Sequence, residues 1–177
     1  MNIQGEKIIL RALDIRDAQF LYELINDPET EKMLGGSSLP ISLEQQKNWI
    51  VSQAGRDDVV RCVVAVKENM EEGLGTVILS DIDRKNGVAQ VHIKMKISNG
   101  RRKGFGSDAL RTIVRYAFME MRLNCIYAEV LSYNQPSQRL FEKCGFKRDG
   151  CLRSRIYKNG EFVDVISYSI LKKQFEG

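Results

Sequence analysis

The spacing of apolar residues divides the chain into seven strands and several helices. Apolar residues at every second position indicate a strand, whereas a spacing of three and four residues indicates one face of a helix. The longest helical stripe runs from Leu110 to Met121 and predicts a helix over 104–121. The predicted strands cover 7–13, 59–66, 73–83, 87–97, 125–131, 146–157 and 162–171.

Three shorter helices are marked by residues that favour helix starts. Each start combines a capping side chain with a supporting residue two or three positions later: Asp14 with Asp17, Ser42 with Gln45, and Asn134 with Pro136. A loop with a short helical piece is predicted over 29–40. The element order β-α-α-β-β-β-α-β-α-β-β predicts a single domain over 1–177 of the mixed α/β (α+β) class. This domain would have one mixed, mostly antiparallel sheet with helices on both faces.

A basic turn with two glycines joins the predicted strand 87–97 to the long helix. Its charged and glycine positions are Arg101, Arg102, Lys103, Gly104 and Gly106. The first backbone N–H groups of a helix have no partner within the helix, and the helix end carries about half a positive charge. Glycine allows an anion to approach the main chain, and the three cations add full charges beside it. The turn therefore predicts a binding site for a phosphate group.

The composition indicates which kinds of binding partner and which cellular compartment to expect. A net charge of +4 suits an anionic ligand such as a nucleotide but is too small to indicate a nucleic-acid partner, so none is expected. There is no run of about 20 apolar residues and no charged-then-apolar leader, so no membrane partner is expected. The four cysteines lack a C-x-x-C spacing and His92 is the single histidine, so no metal site is expected. We expect a cytoplasmic protein.

Four segments resemble those of the GNAT acyl-CoA N-acetyltransferases, and together they cover nearly the whole chain. The motif Arg-x-x-Gly-x-Gly over 101–106 resembles the family's pyrophosphate-binding turn. The Asn-x-x-Ser segment that continues to Gly-Phe over 134–146, and the opening strand and helix over 9–18, resemble their counterparts in the family. The hairpin 157–165 resembles that of the branch holding ribosomal-protein N-terminal acetyltransferases and spermidine acetyltransferases.

The resemblance implies the GNAT fold, in which a pair of central strands splays apart, and acetyl-CoA as cosubstrate. In such proteins the turn amides hold the pyrophosphate, and the edge of the strand before the turn pairs with the pantetheine arm. The helix that follows the next strand lines the thioester end. The corresponding cofactor-binding residues of this chain are Met95, Lys96, Ile97, Arg101, Arg102, Lys103, Gly104, Phe105, Gly106, Ser107, Asn134, Ser137, Phe141 and Lys143.

The resemblance also implies direct attack of an amine on the thioester carbonyl. This reaction needs a base for the amine and a proton donor for the leaving thiolate. The tyrosine that often protonates the thiolate is replaced by Phe141. In the ribosomal-protein branch a serine of the Asn-x-x-Ser segment has that role, so the resemblance makes Ser137 the candidate donor, with a second helix-capping hydroxyl as the alternative. A glutamate that many members carry in the strand before the turn is replaced by Gln90. His92 shares a face with Gln90 and is the candidate base, with a solvent-facing histidine without a role as the alternative.

The sequence leaves the acceptor open between a protein α-amine, a polyamine, an aminoglycoside and another small amine. The acceptor groove is expected between the first two helices, the loop 33–39 and the hairpin 157–163. Ile156 stands where some N-terminal acetyltransferases have a glutamate, which disfavours a ribosomal-protein substrate. The acidic residues that could bind a polyamine, or simply lie in solvent, are Asp27, Glu29, Glu31 and Glu161.

Two other functions stay open on the same residues. Phe141 and Gln90 would also suit a non-catalytic acyl-CoA-binding sensor on the same fold. Nucleic-acid binding through 101–103 is a weaker alternative, because three charges without an aromatic platform make a poor binding surface. No segment marks an oligomer interface, and the protein is expected to be a monomer or a homodimer.

Overall fold

A computed structural model describes residues 1–36, 39–96 and 104–175. Within these ranges a single sheet contains eight strands in the order β1-β2-β3-β4-β5-β6-β8-β7. The strands are β1 (Ile3–Gln4), β2 (Ile8–Ala12), β3 (Val60–Val66), β4 (Asn69–Asp83), β5 (Val88–Met95), β6 (Cys125–Leu131), β7 (Lys147–Lys158) and β8 (Glu161–Leu171). Neighbouring strands are antiparallel apart from β5 and β6, which run parallel. The mixed, mostly antiparallel sheet expected from the sequence is confirmed.

Helices cover both faces of this sheet, as the sequence predicts. They are α1 (Ala18–Asn26), α2 (Pro28–Lys32), α3 (Leu43–Ser52), α4 (Phe105–Met119) and α5 (Gln135–Lys143), with 3₁₀ turns at Ile15–Asp17 and Lys172–Gln174. The apolar stripe of α4, which includes Leu110 and Ile113, packs in the main core with β2, β4 and β5. On the opposite face, α1 and α3 pack together through Leu21 and Ile50. Among the described residues, no helix is long and apolar enough to cross a membrane.

Most predicted element boundaries lie within two residues of the observed ones. Both capping boxes form, but the Asp14 box opens a 3₁₀ turn, and α1 begins only at Ala18. The predicted start of β4 at 73 is wrong, because this strand begins at Asn69. Residues 69–72 are exposed on both faces of the strand, so they carry no alternation of apolar and polar side chains. The sequence also does not predict β1, because its two residues are too few to show a pattern.

The central strands β5 and β6 pair only at one end. Their ladder joins Val88–Gln90 to Cys125–Tyr127 and continues no further. Beyond that point β5 stays paired with β4 as far as Met95, and β6 stays paired with β8 as far as Leu131. The facing edges of the two strands therefore separate and leave backbone N–H and C=O groups without a ladder partner. The splayed pair that the resemblance implies is confirmed, and the gap between its strands positions the site described below.

A buried ion pair fixes β2 to the start of α1. Arg11 donates two hydrogen bonds to the Asp17 carboxylate, at 2.9 and 2.7 Å, and a third to the carbonyl oxygen of Met70 at 2.6 Å. The side chains of Arg11 and Asp17 are only 5% and 3% exposed, so water cannot replace a lost partner. Asp17→Ala should therefore lower the free energy of unfolding by about 3–5 kcal/mol, measured by urea denaturation.

The matched control for this prediction is Arg16→Ala. It breaks an ion pair between Arg16 and Glu71 whose side chains are half or more exposed. An exposed pair contributes less than about 1 kcal/mol, so this variant should unfold close to the wild-type urea concentration. Equal losses in the two variants would show that burial of the Arg11–Asp17 pair does not determine its contribution.

Candidate functional site

Two cavities meet at the gap between β5 and β6. The first, called here the turn-side cavity, has a volume of about 350 Å³ and lies between the start of α4 and α5. The second, the hairpin-side cavity, has a volume of about 430 Å³ and extends toward β7 and the loop after α2. Ile93, Asn134 and Ser137 line both cavities. A molecule that occupied the first cavity would therefore reach the second through the gap between the splayed strands.

The start of α4 presents backbone amides to the turn-side cavity. Gly104 is the residue before the helix, with a left-handed φ of +81°, and its position supplies no side-chain cap. Gly104, Gly106 and Ser107 all line the cavity, so the first amides of α4 lie beside open space. A Cβ added to Gly104 would lie 3.9 Å from Lys7 Nζ, which places a cation directly beside the turn. This arrangement favours an anion at the helix end.

Asp108 holds the chain segment that carries Lys7 against the helix start. Its carboxylate accepts the backbone N–H groups of Glu6 at 3.0 Å, of Lys7 at 2.6 Å and of Ile8 at 3.0 Å. A further cavity of about 220 Å³ lies next to this contact, and four cations line it: Lys7, Arg111, Arg115 and Lys143. The sequence analysis missed Lys7, Arg111 and Arg115, because Lys7 is about a hundred residues from the turn and no local pattern links them.

The predicted cofactor-binding residues separate into three groups. Those that line the turn-side cavity are Met95, Gly104, Gly106, Ser107, Asn134, Ser137 and Lys143. Phe141 lines the hairpin-side cavity instead, Phe105 packs against the main core, and Lys96 pairs with Glu23 at 3.4 Å. Ile97, Arg101, Arg102 and Lys103 lie outside the described residues. Their roles stay predictions.

Asn134 and Ser137 begin α5 at the meeting point of the two cavities. The Asn134 side chain accepts the backbone N–H of Ser137 at 3.1 Å and donates to the carbonyl oxygen of Met33 at 3.0 Å. Asn134 is therefore the residue that caps α5 and ties it to the loop after α2. The capping bond involves only the backbone of Ser137, and its half-buried side chain lines both cavities.

His92 is an exposed residue that lines the hairpin-side cavity, between Gln90 and Lys94 along β5. Its Nε2 is 2.8 Å from the hydroxyl of Ser80, and that hydroxyl donates to the Asp81 carboxylate at 2.9 Å. Because Ser80 uses its one proton toward Asp81, it accepts a hydrogen bond from Nε2 of His92. The proton of the neutral ring is then on Nε2, and Nδ1 keeps its lone pair. Burial lowers the pKa of His92, which the nearby Asp81 carboxylate opposes.

Phe141 forms an apolar wall beside Ser137. Its side chain is 4% exposed, and its ring centroid lies 5.0 Å from that of Phe146 and 6.3 Å from that of Tyr168. Tyr168 hydrogen-bonds through its hydroxyl to Glu142 at 3.1 Å. Neither ring therefore offers a hydroxyl at the junction. Among the described residues, Thr30 and Ser107 line the turn-side cavity alone, and Ser137 is the hydroxyl side chain that lines both cavities.

The predicted acceptor groove corresponds in part to the hairpin-side cavity. Residues 33–36 of the loop line it, whereas Ser37 and Ser38 lie outside the described residues. From the β7–β8 hairpin, Ile156 and Val165 line the cavity, but the predicted tip does not. The exposed rings of Tyr157 and Phe162 instead meet edge to face on the surface, with their centroids 5.1 Å apart.

The comparisons with known proteins agree with this geometry. A family model described as an acetyltransferase (GNAT) domain matches residues 7–147. The uncharacterized N-acetyltransferase p20 of Bacillus licheniformis is 30% identical over 181 positions, which cover 99% of each chain. The putative ribosomal N-acetyltransferase YdaF of Bacillus subtilis is 30% identical over 183 positions, covering 98% of this chain and 96% of that protein.

Solved structures show the same fold. The spermidine N-acetyltransferase of Vibrio cholerae, crystallised in complex with CoA and spermine, superposes with a TM-score of 0.88 at 24% identity. The superposition covers 98% of this chain and 100% of that chain. This likeness shows that the two chains share an open mixed sheet with the same fold. The chain belongs to the GNAT acetyltransferase family, and it is an N-acetyltransferase.

Proposed function

We propose that this enzyme transfers the acetyl group of acetyl-CoA to a primary amine by direct attack on the thioester. The observation that carries this proposal is the gap between β5 and β6, which connects the turn-side cavity to the hairpin-side cavity. Donor and acceptor would enter from opposite sides and meet between the strands. This arrangement brings two reactants together without a covalent enzyme intermediate.

The turn-side cavity fits the chemistry of CoA. The first amides of α4 would hold the diphosphate, and Lys7 would supply a full positive charge beside Gly104. A Cβ added to Gly106 would lie 3.6 Å from Met95 Cγ, so a glycine at this position keeps the cavity open. The unpaired edge of β5 near Met95 would hydrogen-bond the pantetheine amides as an added strand does.

Two side chains near the meeting point of the two cavities would transfer the protons of the reaction. Ser137 would donate its hydroxyl proton to the departing thiolate, since it lines both cavities and Phe141 has no proton to give. His92 would accept the proton of the attacking amine at Nδ1, directly or through a water molecule. Ser80 and Asp81 would keep the His92 ring in that tautomer, since they form a hydrogen-bonded chain to Nε2.

The acceptor side combines apolar walls with carboxylates. The hairpin-side cavity has apolar walls from Ile25, Ile41, Ile156 and Val165, and Glu31 and Glu129 also line it. The sequence offers four acidic residues for a polyamine, but two of them have structural partners. Asp27 caps α2 through the Thr30 N–H at 2.8 Å, and Glu31 pairs with Lys158.

A thiol-release assay tests the proposed function. Acetyl-CoA is supplied with one amine at a time: short peptides with free α-amines, spermidine, an aminoglycoside and simple alkyl amines. The proposal expects amine-dependent release of CoA thiol with at least one of these classes. Tight CoA binding without release on any amine would contradict it and favour the acyl-CoA sensor.

The pH dependence of the reaction tests His92 as the base. Because burial lowers the pKa of His92 below 6.5, the ring is neutral and able to accept a proton at pH 7. As the pH falls through this lowered pKa, the ring becomes protonated and the rate must fall. We expect kcat/KM to show an acidic limb with an apparent pKa below 6.5, and His92→Gln to remove it. A limb that persists unchanged in His92→Gln would exclude His92 as the base.

A further inference from the structure

A third cavity lies between the sheet and the layer formed by α1 and α3. Its volume is about 340 Å³, and most of its lining is apolar. Leu21 and Leu24 of α1, Trp49 of α3 and Ile78 of β4 form much of the wall. We call it the helix-side pocket. It shares Ile25, Ile41 and Lys94 with the hairpin-side cavity, and it lies between the two helices where the sequence predicts part of the acceptor groove.

Two cations line the helix-side pocket, and among the described residues no carboxylate does. These cations are Arg61 of β3 and Lys94 of β5. The guanidinium carbon of Arg61 lies 5.5 Å from the centroid of the Trp49 ring, and its Nε and Nη1 atoms are buried without a hydrogen-bond partner. Lys94 has no ion-pair or hydrogen-bond partner among residues 1–36, 39–96 and 104–175. Burial lowers the pKa of both side chains.

The carboxylate whose charge raises the pKa of Arg61 is already engaged by another arginine. This carboxylate is Asp58, whose negative charge raises the pKa of Arg61 from a distance. Asp58 itself forms a two-bond ion pair with Arg56, which is exposed. Buried charges in proteins are normally paired, because removing an ion from water without a counter-charge is costly. The helix-side pocket therefore combines an apolar interior with positive charge that this chain does not neutralise there.

The size of the pocket is that of a ligand site rather than a packing defect. Protein interiors rarely contain voids much larger than a water molecule. An apolar cavity of about 150 Å³ is enough to take up benzene, so 340 Å³ accommodates an apolar body about twice that size. An eight-carbon alkyl chain or a two-ring aromatic group has this size.

We propose that the helix-side pocket binds a small monocarboxylate whose apolar body fills the cavity and whose carboxylate pairs with Arg61 and Lys94. The apolar lining provides affinity by removing the ligand's hydrocarbon from water. The two cations provide selectivity, because a charge-assisted hydrogen bond forms with a carboxylate and not with a neutral or cationic head group. This proposal concerns a second site and does not depend on the acetyl-transfer proposal.

Fluorescence titration tests the proposal directly, because Trp49 is the single tryptophan of the chain and lines the pocket. The probes are octanoate, octanamide and octylamine, which share one hydrocarbon body and differ in charge. Octanoate should change the Trp49 emission with an affinity about tenfold or more above that of octanamide, and octylamine should bind more weakly still. Equal affinities of the three probes, or no response to octanoate, would overturn the proposal.

Variants locate the source of this selectivity. Arg61→Gln should reduce the preference for octanoate over octanamide to about threefold or less, while octanamide binding stays close to wild type. Lys94→Gln should reduce the same preference, and Arg153→Gln, which changes an exposed arginine of β7 outside the pocket, should leave it unchanged. A full preference in both Arg61→Gln and Lys94→Gln would place the carboxylate elsewhere. The titrations contain no CoA, so their outcome is separate from that of the transferase assay.

Discussion

Replacing Gly106 with leucine is expected to abolish CoA binding and leave the fold intact. A Cβ at this position would lie 3.6 Å from Met95 Cγ and 3.9 Å from the methyl groups of Leu140, which are ordinary contacts. The remaining carbons of leucine would project into the turn-side cavity, where the CoA diphosphate is proposed to bind. Leucine also favours a helix more than glycine does, so α4 should not be weakened. Calorimetry should show a Kd for CoA raised by about a hundredfold or more, a loss of about 2.7 kcal/mol.

Two controls accompany this variant. Gly106→Ala adds one methyl group that the measured distances accommodate, and it should retain most of the CoA affinity. Gly150→Leu places the same side chain on β7, where an added Cβ meets nothing within 4 Å, and CoA affinity should not change. Gly104 is less suitable for this test, since its φ of +81° strains any other residue and mixes a folding effect with the binding effect. Wild-type CoA affinity in Gly106→Leu would contradict the proposed position of the diphosphate.

Removing the hydroxyl of Ser137 is expected to give the largest loss of turnover. In Ser137→Ala the departing thiolate would lose the one hydroxyl among the described residues that line both cavities, and Phe141 cannot supply another. General acid catalysis contributes a factor of about a hundred or more, so kcat should fall by about that amount. The KM for acetyl-CoA should stay within about twofold of wild type, because the hydroxyl acts mainly in the transition state.

The structure of α5 makes this test specific. Asn134 caps the helix through the backbone N–H of Ser137, and alanine keeps that N–H, so the helix start should be unchanged. Ser137→Thr restores a hydroxyl and should recover part of the lost kcat. Ser52→Ala, an exposed serine at the end of α3, serves as the matched control and should turn over at the wild-type rate. Equal kcat values for wild type and Ser137→Ala would remove Ser137 from the mechanism.

The parts of the fold that the sequence predicts are those marked by a pattern of apolar or capping residues within the element itself. The apolar run of β6 fixes its bounds at Cys125–Leu131, and the Ser42–Gln45 box places the start of α3. Both signals lie within a few residues of the element that they define. The outer end of β4 and the two-residue β1 carry no such signal, since their pairing is set by neighbouring strands rather than by their own sequence.

The same distinction applies to the site. Asn134, Ser137 and Gly106 lie in segments whose spacing can be recognised in the sequence, and the structure places all three on the turn-side cavity. Lys7 beside Gly104 is brought there by the contact of the β1–β2 segment with α4 and could not be found from spacing. Ser80 next to His92 depends on the register of β4 against β5, which the sequence does not specify.

The crystal structure of the protein with CoA bound is the most direct test of the central claim. The account predicts the diphosphate within hydrogen-bond distance of the amides of Gly106 and Ser107. It also predicts the pantetheine arm along the unpaired edge of β5, with the thiol directed at Ser137. CoA bound outside the turn-side cavity, or with its thiol remote from the gap between β5 and β6, would contradict it.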